Sequence, residues 1–337
     1  MTDTFSVSIT GEEGVRSDIG NTVAGVSECY MPHDVIAEMT DGIRAVLGAK
    51  SVTQLRRLSG GASRETWRFM ADNSDFVLQR VRQGTPLGLG AEPSVLQAAF
   101  AAGVPVPELV IDGSQSDALE RPFMIVRAVG GETIARKILR DDEFSTARHN
   151  LVGQLGRAAA QLHRIDPTSV PGLVVEDQIH RYRIAMDTVG EPHPVFEAAF
   201  RWLEQNKPTS TGTSVVHGDF RLGNVMVNGD GLSAILDWEL AHLGDPMEDL
   251  GWLCVRAWRF GGAQPAAGLG SYEELFNAYE AESGIRPDFD VVRWWEILGT
   301  LKWGIICISQ ANTHLSGLVR SHELAAIGRR VCENEYD

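Results

Sequence analysis

The chain is short of several things. Four cysteines, Cys29, Cys254, Cys307 and Cys332, are scattered over 337 residues, and no two form a CxxC pair. This argues against a disulfide framework or a zinc site and for isolated buried thiols in a reducing compartment. Positive charge is also scarce: 30 Lys and Arg stand against 45 Asp and Glu, a formal net charge of −15. Phosphate backbones need clustered cations, so a nucleic-acid partner is not expected. No apolar run approaches a membrane span; the best, Ile305 to Ile308, is short and follows closely on Lys302. The start, Met1-Thr2-Asp3-Thr4, has neither a basic nor an apolar stretch, so no signal peptide is read. The expectation is a cytoplasmic protein with no membrane contact and no obligate protein partner.

What is present fits a globular chain. Hydrophobic residues make up 43%, and the length suits two domains or one two-lobed unit. The acidic balance favours solubility and weakly favours a cationic or metal-bound ligand.

Residues 1–32 mix Gly, Ser, Thr and acidic residues without a steady period and read as a loose N-terminal extension. Val35, Ile36, Met39, Ile43, Val46 and Leu47 then recur at helical steps behind Asp34, a candidate cap. Three short β-type segments follow, Ser51 to Leu58, Trp67 to Met70 and Phe76 to Val81, separated by Ser59-Gly60-Gly61-Ala62-Ser63 and Asp72-Asn73-Ser74. They predict antiparallel strands. Glu92 to Ala102 reads as helix, Val104 to Val110 as extended because of its prolines, and Phe123 to Val129 as another strand. Beyond Gly130-Gly131 the pattern is mostly helical. One stripe is Leu151, Leu155, Ala158, Ala159 and Leu162, with Ser145 as candidate cap; another is Val195, Phe196, Phe200 and Leu203. Short strand-like runs at Ser214 to His217, Val225 to Val227 and Ala234 to Leu236 precede helices near Tyr272 to Tyr279, Val291 to Ile308 and His322 to Cys332. Trp294, Trp295 and Trp303 fall on the helical pattern of Val291, Leu298 and Ile306 and read as core. A small β-rich part joined near residue 130 to a large α-rich part implies a cleft, a common place for a ligand.

The chemistry is concentrated in Val215-Val-His-Gly-Asp-Phe-Arg-Leu-Gly-Asn-Val-Met-Val227 and Ala234-Ile-Leu-Asp-Trp-Glu239. Phosphoryl transfer to an alcohol needs a carboxylate to take the hydroxyl proton, oxygen ligands for Mg²⁺, and a cation facing the developing phosphate charge. Asp219, the pair Asp237 and Asn224, and Arg221 supply these parts in that order. The glycine-rich turn can lay backbone N–H groups of Ser59, Gly60, Gly61 and Ser63 over phosphates, although a plain hairpin is equally compatible with it.

His217-Gly-Asp219-x-x-x-x-Asn224 resembles the catalytic loop of the protein-kinase-like superfamily, and Asp237-Trp-Glu239 its metal-binding segment. Gly after the His, and Trp-Glu after the second Asp, make the chain more similar to the aminoglycoside phosphotransferase family. Leu162-His-Arg-Ile-Asp166 together with the His217 loop resembles the members associated with acyl-CoA dehydrogenase-like proteins.

The resemblance implies an α+β, two-lobed protein-kinase-like fold. Residues 33–130 would form a small antiparallel-sheet N-lobe that binds nucleotide. Residues 131–337 would form a larger, mostly helical C-lobe for catalysis and acceptor binding. It implies ATP and Mg²⁺ as cofactors and a small-molecule hydroxyl as acceptor, an aminoglycoside, sugar, choline-like or hydroxyacyl compound. A catalytically inert nucleotide-binding protein of the same fold is the alternative.

By the same resemblance Asp219 is the base, Asn224 and Asp237 are the Mg²⁺ ligands, and Arg221 neutralises phosphate. His217 packs the loop and Asp249 braces it. Adenine would meet backbone groups from Val126 to Ala128. A phosphate-binding cation is expected on the strand Phe76-Val-Leu-Gln-Arg80, with Glu92 as its acidic partner. Strand side chains alternate, so only one of Gln79 and Arg80 can face the cleft, and the need for a cation favours Arg80.

Overall fold

The computed structural model describes residues 33–58, 64–83 and 88–337. The expected N-terminal extension and the glycine-rich turn, with Ser59, Gly60, Gly61 and Ser63, lie outside the described residues. Helix α1 (His33–Leu47) leads into strands β1 (Val52–Arg57), β2 (Arg64–Ala71) and β3 (Ser74–Val81). It begins ahead of Asp34, so that residue sits within the first turn rather than at the cap. Helix α2 (Glu92–Ala101), β4 (Leu109–Gly113) and β5 (Phe123–Arg127) complete a five-stranded antiparallel sheet in the order β1-β2-β3-β5-β4. The proline-rich stretch bends at Pro105 and forms no strand before Leu109, past the last proline, from which β4 runs on to Gly113. Asp72 and Asn73 join β2 to β3 with φ of +45° and +68°, the conformation that matches strand twist in a tight hairpin. The Asp72 carboxylate also accepts from the amides of Lys50 and Ser51 at 3.0 and 2.9 Å.

The two faces of the sheet differ. Met39 and Ile43 of α1 pack on Trp67, Phe69, Phe76, Leu78, Phe123 and Ile125. On the other face Val77, Leu109 and Val126 meet Val95 and Leu96 of α2 and merge with the core of the helical half.

That half comprises α3 (Ala135–Arg140), α4 (Ser145–His163), α5 (Gln178–Val189), α6 (Pro194–Gln205), α7 (Met247–Cys254), α8 (Tyr272–Ser283), α9 (Phe289–Leu315), α10 (His322–Ile327) and α11 (Val331–Tyr336). Two short antiparallel ribbons lie among them: β6 (Ser214–Val216) with β9 (His242–Gly244), and β7 (Val225–Asn228) with β8 (Gly231–Ile235). The α4 stripe is buried as the periodicity predicts, with Leu151, Leu155, Ala159 and Leu162 at 0% exposure. Ser145 is the first helical residue and caps nothing. On α6, Phe196, Phe200 and Leu203 turn inward onto Trp294, Leu298 and Ile305 of α9, whereas Val195 is exposed. Cys254 and Cys307 are buried, but Cys332 is exposed, against expectation. Among the described residues, no helix is long and apolar enough to cross a membrane.

Helices α4 and α8 touch at Gly156. A Cβ there would sit 2.8 Å from the Leu275 carbonyl oxygen and 2.9 Å from the Ala278 Cβ. Alanine is the better helix former by about 1 kcal/mol, but overpacking costs roughly 1–3 kcal/mol. Gly156→Ala is therefore expected to destabilise. A lower denaturation midpoint in urea checks this; a raised midpoint would mean that the two helices separate freely.

Candidate active site

Strand β6 delivers the chain into a tight loop, residues 217–224, and β7 takes it out. Gly218 has φ +76°, and a side chain there would collide with the Leu240 carbonyl oxygen, so no arginine can follow His217 in this loop. The loop rests on one buried carboxylate. Asp249, in the first turn of α7 and fully buried, accepts from the amides of His217 at 2.8 Å and Gly218 at 3.0 Å. His163 of α4 donates Nε2–H to the same carboxylate at 3.0 Å, and its Nδ1 meets the Tyr279 hydroxyl at 3.0 Å. Burial pushes the Asp249 carboxyl up, but the His163 bond and charge, with the loop amides, bring it below its ordinary value.

The His217 ring packs beneath the loop, 4.5 Å from the Trp238 ring. Its Nε2 donates to the Leu236 carbonyl at 2.9 Å, so Nδ1 is the acceptor for the Asp219 amide at 3.1 Å. Burial lowers its proton affinity, which keeps it neutral and structural.

Four of the expected residues come together. The Asp219 carboxylate accepts from Arg221 Nε at 3.0 Å and Trp252 Nε1 at 2.7 Å on one oxygen, and from Asn224 Nδ2 at 2.6 Å on the other. Asn224 thus spends its amide hydrogens on Asp219 and keeps its oxygen as the available acceptor. The Leu236 amide bonds the Asn224 carbonyl at 2.8 Å and ties the second loop to the first. Asp237 follows with φ +66°, a conformation that a non-glycine residue holds only where its surroundings over-determine it. Burial, Glu239 and Asp219 push its carboxyl up to about 6, with Arg221 and Arg64 pulling the other way. A site that crowds carboxylates in this way has negative charge to share with a cation. Among the described residues, no group of three or more His, Cys, Asp or Glu side chains is set to hold a metal. Asn224 and Asp237 are the two oxygen donors that could hold one jointly with a ligand.

One expected residue falls elsewhere. Arg80 lies on the α1 face of the sheet with Phe76 and Leu78; it pairs with Glu65 at 2.8 Å and donates to the Leu119 carbonyl at 3.3 Å. The residue of β3 on the opposite face is Gln79, so the expectation that Arg80 faces the cleft is corrected by strand alternation. The Ala128 amide is engaged by the Asp75 carbonyl at 3.0 Å, and Val126 is paired within the sheet between Val77 and Leu109.

Glu92 is buried at the start of α2 and ion-paired, but with Arg64 of β2. Three residues beside the site went unread in the sequence: Arg64, Trp252 and Lys302. Lys302 donates to the Gly218 carbonyl at 2.7 Å and lies 4.3 Å from the Trp252 ring centroid, and Arg221 lies 4.5 Å from that of Trp258. A single lysine inside the apolar run of α9 was the available signal for Lys302.

The small antiparallel sheet over a helical half, with the loop of Asp219 and the turn of Asp237 at their junction, defines a protein-kinase-like, two-lobed α+β fold. Solved structures bear this out. A protein of Ralstonia eutropha JMP134 classed among the aminoglycoside phosphotransferases superposes with a TM-score of 0.70 at 21% identity, covering 89% of this chain and 95% of that one. The GDP complex of aminoglycoside 2'-phosphotransferase-IIIa gives 0.63 at 16% identity, covering 89% and 98%. The phosphotransferase enzyme family (APH) matches residues 54–295, and the chain belongs to that family. Mouse acyl-CoA dehydrogenase family member 10 is 26% identical over 286 residues, which make up 76% of this chain and 26% of that protein. The chain thus spans about a quarter of the length of that relative.

Asp249→Ala would strand two buried amides, each worth roughly 1–3 kcal/mol, and is expected to lower stability by about 3–5 kcal/mol. Asp249→Asn retains one acceptor oxygen and should lose less. Chemical denaturation of both variants checks the order; equal small losses would mean that the loop does not depend on this carboxylate.

Proposed function

We propose that the protein is an ATP- and Mg²⁺-dependent phosphotransferase that moves the γ-phosphate to a hydroxyl of a small molecule. The observation that carries the reading is the meeting of Asp219, Asn224 and Arg221 in one loop with Asp237 held left-handed in the next. Asp219 would align the acceptor hydroxyl and take its proton. Arg221, already on the Asp219 carboxylate, would face the transferred phosphate. Asn224 and Asp237 fit Mg²⁺, a hard cation usually bound through one or two carboxylates together with substrate phosphates. When bound, the ion would neutralise phosphate charge. Most of the acceleration would come from positioning and charge neutralisation rather than covalent chemistry. In the division of labour we propose, residues 33–130 serve the nucleotide and residues 131–337 the acceptor.

Arg221 donates to Asp219 and lies on the Trp258 indole, whereas Lys302, buried on the Trp252 indole, donates to the Gly218 carbonyl and stands 3.8 Å from Glu248. The resemblance to an acyl-CoA dehydrogenase family member is what supports ranking a hydroxyacyl compound ahead of an aminoglycoside. Turnover compared across an aminoglycoside, a sugar, choline and a hydroxyacyl thioester tests the order. A second reading, an inert nucleotide-binding protein, draws on the neutral Gln79 of β3; binding of MgATP without consumption on any acceptor would favour it.

Asp219→Asn is expected to lower turnover by at least about 10²–10⁴-fold while keeping the thermal stabilisation by MgATP. That stabilisation is about 2.7 kcal/mol at a hundredfold excess over Kd. Asp237→Asn keeps the left-handed turn but should lose the stabilisation itself. Equal loss of binding in both variants would contradict the assigned roles.

A further inference from the structure

The cleft face of β3 carries no cation, yet the sheet supplies one from the next strand. Gln79 lies opposite Thr66 of β2 and Met124 of β5. Val81 shares its face, and directly across from Val81 stands Arg64. Gln79 and Arg64 are therefore diagonal neighbours on one face, roughly 7–8 Å apart at the backbone and within reach of the same ligand atoms. The Arg64 side chain is 11% exposed and ion-paired with the carboxylate of Glu92, itself 3% exposed. Both partners sense the Asp237 turn. Burial raises the Glu92 carboxyl to about 7 against the pull of Arg64, with Asp237 and Glu239 adding to the rise, while Arg64 draws Asp237 down. The pair joins the cleft side of β2 to the first turn of α2.

We propose that Arg64, delivered from β2 and steered by Glu92, is the cation that neutralises the phosphates of the bound nucleotide, in place of a cation on β3. The inference rests on the nucleotide reading given above. One buried glutamate balances one cation. Arginine suits the longer reach from β2, because its planar fork grips phosphate oxygens in a bidentate manner. Arg80 is held by Glu65 on the far face and takes no part.

The test is calorimetric titration of the full chain with MgATP and, separately, with adenosine, which lacks phosphates. Arg64→Gln should weaken MgATP binding about tenfold or more and leave adenosine binding unchanged. Adding Gln79→Lys to that variant returns a cation to the same face and should recover most of the lost affinity. If Arg64→Gln alone does not fold, the double variant with Glu92→Gln removes the orphaned carboxylate and carries the same comparison. Unchanged MgATP affinity, or equal losses for MgATP and adenosine, overturns the inference and leaves the nucleotide reading standing. Failure of the wild-type chain to bind MgATP would end both.

Discussion

One buried carboxylate organises this molecule. Asp249 draws helix α7, helix α4 and the loop after β6 to a single point by accepting from His163 and from the amides of His217 and Gly218. A carboxylate without solvent is costly, of the order of several kcal/mol, unless its lone pairs are filled. Filling them here obliges the loop to turn sharply at Gly218, and that turn lifts Asp219 toward the junction of the two halves. The Lys302 bond to the Gly218 carbonyl and the His217 bond to the Leu236 carbonyl hold the turn from two further sides.

Charge balance is the second constraint. Asp219, Asp237, Glu239 and Glu92 gather where the sheet meets the helical half, and Arg221 and Arg64 offset them. Burial first, and then the neighbouring Glu239 and Asp219, push the Asp237 carboxyl up. In the function proposed above, a ligand that brings both a cation and its own phosphates would meet partners of each sign. The left-handed backbone of Asp237 is a strained conformation for a side-chain-bearing residue, and the Leu236–Asn224 bond just before it anchors the turn.

The aromatic residues near Asp219 form a third layer. Trp252 donates to the carboxylate itself, and Trp252 and Trp258 each carry a cation on their face. Trp303 packs on Trp258 at 4.7 Å, whereas Trp294 belongs to the separate core between α5, α6 and α9. Two tryptophans of one helix therefore serve two purposes, a split that periodicity alone does not reveal.

Much was legible in the order of residues. Local chemistry dictated the hairpin at Asp72-Asn73, the α4 stripe, and the strand-loop-strand setting of Asp219, Asn224 and Asp237, because each depends on spacing over a few residues. Helix α7 was illegible: every one of its residues is buried, so no amphipathic stripe exists to read. The reading of Arg80 as the cleft-facing residue failed because a strand's alternation gives two faces but not which one meets the cleft. Only the packing of α1 against one side of the sheet decided it, by placing Arg80 with Glu65 and leaving that space to Arg64. Contacts across tens of residues set these outcomes, and no short window of sequence contains them.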